Sequence, residues 1–164
     1  MNFEKDIKYA VLALLIGTIE ASFGKFIAIS GAVPMLTFSF LIVSALLESD
    51  ISYVMVLSVI LGAISDVLYG HGFGTYTVAF SFSCFCTFKL KNAIFSSKWL
   101  FLTVDAFLLT IFSQIFYMII HIRDIGSENF FRCIWSLILP TAIYNTLLCW
   151  LFCFLGSKIF GKRG

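Results

Sequence analysis

Apolar residues along the chain fall into six runs, at about 8–29, 32–47, 51–69, 73–90, 99–121 and 133–157, separated by short breaks rich in charge or glycine. Runs of this length predict helices that cross a bilayer, since about 20 residues at 1.5 Å rise span its hydrocarbon core. The second run is short and opens near Pro34. A proline in the first turn lacks only an N–H that would have no helical partner, so Pro34 reads as a helix start. The break from Ser30 to Ala32 is tight enough to make the first two helices an adjacent hairpin. Six spans consume about 120 residues and leave no room for a globular domain in water. The expectation is one all-α, six-helix transmembrane domain over residues 1–164, with no linker and no 20–50-residue repeat. The first run follows a balanced cluster of Glu4, Lys5, Asp6 and Lys8 and no small-x-small site closes it, so it reads as a retained span and not a cleaved signal peptide.

Composition strengthens this picture. The 164 residues are 60% apolar and only 12% charged, and the mean hydropathy is +1.01. A soluble chain of this length cannot hide that much apolar surface. A net charge of +2 excludes an electrostatic nucleic-acid footprint, and the basic residues lie in short clusters beside the runs, where they set topology. With the N-terminus inside, the cytoplasmic side holds eight: Lys5, Lys8, Lys89, Lys91, Lys98, Lys158, Lys162 and Arg163. The outer side then holds three, Lys25, Arg123 and Arg132. Both termini are therefore expected inside. Trp99 and Trp135 fall at run boundaries, as interfacial aromatics do. The five cysteines, Cys84, Cys86, Cys133, Cys149 and Cys153, lie in or beside apolar runs in no zinc spacing and read as small hydrophobes.

Polar residues inside the runs need an explanation, because an ionised acid at mid-bilayer costs ~2.5–3.5 kcal/mol. Three acids qualify: Glu20, Asp66 and Asp105. By rise per residue, Asp66 and Gln114 both lie roughly 22 Å from the inner side and share an outer layer with Glu20, whereas Asp105 lies only about 9 Å in. Asp105 is two turns from Lys98 and is expected to reach the interface with that lysine as local partner. In the string from Gly62 to Gly74, the residues Gly62, Asp66 and Gly70 recur every four positions and share one helical face. Small residues on a face admit a neighbouring backbone, and a buried acid can bond across the contact, so helix packing is favoured over catalysis. Gly70, Gly72 and Gly74 permit a tight turn. In the last run Pro140 removes one backbone hydrogen bond and is expected to kink the helix. Asn145, near mid-bilayer, needs a partner, for which Asp66 and Gln114 are candidates. His71 and His121 fall near outer helix ends and read as solvated interfacial residues.

Chemical motifs are absent: no H-E-x-x-H, no G-x-S-x-G and no P-loop occurs. The sequence therefore predicts no catalytic, cofactor-binding or metal-binding residues.

Pro34, the Gly62-x3-Asp66-x3-Gly70 helix with its turn at Gly74, and Pro140 with Asn145 together resemble MreD, the small membrane subunit of the bacterial rod-shape machinery. The resemblance extends over nearly the whole chain, although Cys149 and Trp150 stand where many members place a further proline. It implies a non-catalytic scaffold in the bacterial cell membrane, with an architecture like that of the substrate-binding subunits of energy-coupling-factor transporters. The implied partners are MreC directly and MreB, RodA and a penicillin-binding transpeptidase through the elongation complex, with lipid around the helices. The matching positions imply helix packing or partner contact for Pro34, Gly62, Asp66, Gly70, Gly74, Pro140 and Asn145. The alternative class is a vitamin-type substrate-binding subunit. Such subunits often present alanines four apart on the first helix; here Ala10 and Ala13 are three apart and Leu14 takes the fourth place.

Overall fold

A computed structural model describes residues 3–24, 26, 28, 33–69, 74–91, 97–121 and 134–159. These form six α-helices: α1 Phe3–Phe23, α2 Leu36–Leu47, α3 Ile51–Tyr69, α4 Thr75–Leu90, α5 Lys98–Ile120 and α6 Leu139–Ile159, the last preceded by a π-helical turn over Ile134–Ile138. Each helix answers one apolar run, with shifts at the ends. The first run was expected to stay helical to residue 29. Instead α1 takes up the charged residues before the run and stops at Phe23, where Gly24 donates its N–H to the Glu20 carbonyl (2.8 Å). Glycine is a poor helix former, and the chain turns there. Pro34 lies ahead of α2 and not in its first turn: Met35, at φ −97° and ψ 82°, is the N-cap. Pro140 is the second residue of α6, directly after the π turn. A wider turn at this place suits a residue that has no N–H to give.

The segments Ile51–Tyr69, Lys98–Ile120 and Trp135–Gly156 are long and apolar enough to cross a membrane. By contrast α2 has only 12 residues, about 18 Å at 1.5 Å per residue, well short of a ~30 Å hydrocarbon core. Its position explains how so short a helix is stable. It packs against α1, α3, α4, α5 and α6, and every residue from Thr37 to Ala45 is buried. A helix apolar on all sides is at home only when surrounded. Around this axis α3 packs most extensively on α4, and α5 on α6. Phe38 meets Phe80 of α4 at 5.2 Å between ring centroids, and Phe40 meets Phe152 of α6 edge-on at 6.1 Å.

Polarity is inverted relative to a soluble bundle. Glu20, Asp66, Asp105 and Asn145 are buried, while Val, Leu, Ile and Phe side chains such as Leu15, Val59, Val67, Leu108, Leu147 and Phe154 point outward. Trp99 and Trp135 are among the exposed residues. Cys84, Cys149 and Cys153 are buried free thiols and Cys86 is half-buried, consistent with small apolar side chains. Cys133 lies outside the described residues.

Candidate functional site

The conspicuous chemistry of the chain is its buried polar side chains: many of the hydroxyls return to a carbonyl one turn back in their own helix, whereas Glu20, Asp66 and Asn145 are spent on the ends of other helices. Where α3 meets α4, two features one turn apart act together. At Gly62 a Cβ would stand 2.5 Å from Thr77 Cα and 2.9 Å from Thr77 N, so only glycine lets the α4 backbone come this close. Asp66 then receives that backbone. Its Oδ1 accepts the Tyr76 N–H (2.7 Å), and its Oδ2 accepts the N–H groups of Gly74 (2.9 Å) and Thr77 (3.2 Å) and the Thr77 hydroxyl (2.6 Å). The first N–H groups of a helix have no partner within it, and a carboxylate there also meets the positive end of the helix dipole. Gly74, the α4 N-cap, stands at φ 104°, a left-handed conformation that favours glycine. Gly62 and Asp66 thus both face α4. Gly70, the third member of the spacing, lies outside the described residues, as do Gly72 and His71.

Glu20 makes a second tie. Its Oε2 accepts the Thr37 N–H of α2 (2.6 Å) and its Oε1 the Tyr69 hydroxyl of α3 (2.7 Å). Tyr69 leads into an aromatic row, with Tyr76 at 5.5 Å from Tyr69 and Tyr117 at 5.6 Å from Tyr76 between centroids. Asn145 makes the third. Its Oδ1 accepts the Met35 N–H (2.9 Å), its Nδ2 reaches Thr110 Oγ1 (3.5 Å), and its carbonyl accepts the Ser39 hydroxyl (3.3 Å). The partners of Asn145 are therefore neither Asp66 nor Gln114. Gln114 instead directs its Nε2 at the Met35 sulfur (3.1 Å). The reason is that α2 runs between α1 and α6, so its unpaired first-turn donors are nearer than any side chain across the bundle.

At the other end of α2, Lys91 Nζ donates to the carbonyls of Ala45 (3.2 Å) and Glu48. The lysine at the end of α4 thus places a cation at the negative end of α2. Burial lowers its pKa from the ordinary lysine value, and the nearby Glu48 acts in the opposite direction. Asp105 differs from expectation. It is buried, 7% exposed, and its Oδ2 accepts the Thr87 hydroxyl of α4 (2.7 Å), while Lys98 lies exposed at the start of α5. The neighbouring helix supplies a donor inside the bundle, so the acid need not climb to the interface. His121, expected to be solvated, is 8% exposed with its ring 4.6 Å from that of Tyr117. The partners Thr37, Tyr69, Thr77, Thr87, Thr110 and Lys91 carry no mark in the sequence beyond being hydroxyls in apolar runs or a lysine in a loop. The only available signal was that Thr37 and Thr77 open helices.

Among the described residues, no group of three or more His, Cys, Asp or Glu side chains is placed to hold a metal ion. The acids and the amide bind backbone and hydroxyl groups of neighbouring helices, which is structural chemistry. A bundle that turns its carboxyl and amide groups inward onto helix ends, and its aliphatic and aromatic side chains outward, is an α-helical membrane protein. Residues 5–158, nearly the whole chain, match the model of the rod shape-determining protein MreD family, and the chain belongs to that family. This is a membrane protein family of the bacterial shape-determining system, known for a structural role and not for catalysis. No match to the chain was found among curated proteins or among solved structures.

Proposed function

We propose that the protein is a non-catalytic scaffold of the cell-wall elongation machinery in the bacterial cell membrane. All six helices lie in the bilayer, both termini are cytoplasmic, and an MreC-like protein is the direct partner, with MreB, RodA and a penicillin-binding transpeptidase joined through the complex. The observation that carries this reading is the way the polar groups are used. Asp66 takes four donors from Gly74 and the first turn of α4, and both ends of the Asn145 amide are engaged, by α5 and by the N-cap of α2. Chemistry committed to holding helices together is unavailable for turnover, and the outward apolar surface is left to recruit partners by packing. Pro34, Gly62, Gly74 and Pro140 set helix ends and close approaches within the same frame, and Gly70 is assigned to it by spacing.

The test is co-purification of an MreC-like protein with the tagged chain from mild detergent, together with cell shape after depletion. Retained partner and loss of rod shape on depletion are expected; a chain that retains no such partner and leaves rods unchanged would overturn the proposal. A vitamin-binding subunit is less favoured, because Ala13 is 1% exposed, packed inside the bundle, while Leu14 faces out. Saturable binding of a vitamin by the purified protein would reverse that preference.

A further inference from the structure

The buried acids Glu20 and Asp66 are not equally satisfied. A carboxylate offers about four acceptor positions. Asp66 uses four, whereas among the described residues Glu20 accepts two donors, from Thr37 and Tyr69. Glu20 is only 4% exposed, so bulk water does not fill the remaining positions. It lines a narrow cleft between α1, α2 and α3, together with Gly17, Thr37, Ile64, Leu68 and Tyr69. The free space at its base is that of about one water molecule.

We infer that this cleft is the docking point of a partner transmembrane helix, which inserts a serine or threonine hydroxyl toward Glu20. The inference rests on the scaffold reading above and names the contact through which it works. Three features select the occupant. Both Glu20 oxygens act as acceptors, so the entering group is a donor. The enclosed space fits a group the size of a hydroxyl. The mouth is apolar, with Ile64 and with Leu68 at 50% exposure, which suits a lipid-embedded helix whose small polar residue makes the hydrogen bond. Gly17 keeps the α1 wall low: a Cβ there would meet only Thr37 Oγ1, at 3.9 Å.

The experiment uses the full chain in native membranes with its MreC-like partner. A photo-cross-linking p-benzoylphenylalanine replaces Leu68 at the cleft mouth or Leu147 on α6, an outward residue at 58% exposure. An adduct to the partner from position 68 and none from 147 is expected. Leu68→Trp, which closes the mouth, should lower co-purified partner roughly tenfold, the size of one interhelical hydrogen bond with its packing, while Leu147→Trp leaves it unchanged. Replacing the contacting serine or threonine of the partner by valine should give the same loss. Adducts only from 147, equal adducts from both positions, or a Leu68→Trp protein that folds and keeps its partner would each show that the cleft holds water or lipid and overturn the inference while the scaffold reading stands. Should no MreC-like partner co-purify with the unaltered chain, the scaffold reading fails first and this inference with it.

Discussion

Gly62 and Gly17 are both helical glycines on inward faces, yet the structure gives them opposite tolerance. At Gly62 the obstacle is the Thr77 backbone at 2.5 Å, which cannot swing aside, whereas at Gly17 the nearest atom is a side-chain oxygen at 3.9 Å. Gly62→Ala is therefore expected to destabilise by about 1–3 kcal/mol through overpacking, and Gly17→Ala to be neutral or slightly stabilising. Asp66→Ala should be worse than either. It strands the N–H groups of Gly74, Tyr76 and Thr77 away from water, an expected loss of about 2–4 kcal/mol. Thermal unfolding of the three variants in one detergent would rank them. A Gly62→Ala protein as stable as Gly17→Ala would contradict the close approach of the Thr77 backbone to Gly62.

At the scale of the element, α2 is the informative helix. Twelve residues long and buried over most of its length, it cannot reach both faces of a bilayer, so its backbone ends lie inside the protein. Each end is met by other helices: Glu20 and Asn145 at the start, Lys91 at the finish. Asn145→Leu removes the acceptor for the Met35 N–H and should cost about 1–3 kcal/mol. Lys91→Met removes the cation at the C-terminal carbonyls and should cost about 1 kcal/mol. The two ties are about a helix length apart and share no partner, so the double variant is expected to show the sum of the single losses within about 0.5 kcal/mol. A double-mutant cycle on unfolding free energy checks this. Strong coupling would mean that α2 shifts as a rigid rod when either end is released.

For the whole molecule, the inversion of polarity makes the lipid part of the fold. Outward residues such as Val67, at 68% exposure, and Trp135, at 74%, would be liabilities in water. The lysine and arginine bias of eight to three supports the proposal that both termini are cytoplasmic. Reporter fusions check it: a C-terminal fluorescent protein should be bright and a C-terminal alkaline phosphatase inactive, and the opposite pair would invert the assignment.

Six apolar runs, their polar breaks and the spacing of Gly62 and Asp66 were legible in the sequence, because hydrophobic length and helical period are local properties that each run carries by itself. So was the importance of Glu20, Asp66 and Asn145, since an acid or amide in an apolar run demands a partner wherever the run lies. Which partner it finds is decided by neighbours distant in sequence. Asn145 answers a backbone N–H 110 residues away at Met35, a donor every residue but proline possesses and no motif marks. Asp105 and Lys98 stand two turns apart on α5, a pairing the sequence alone suggests, but the packing of α4 alongside supplies the Thr87 hydroxyl that Asp105 accepts. The central place of α2 is likewise a tertiary fact. A short apolar run looks like a weak span when read alone, and becomes the axis of the bundle only when five helices close around it.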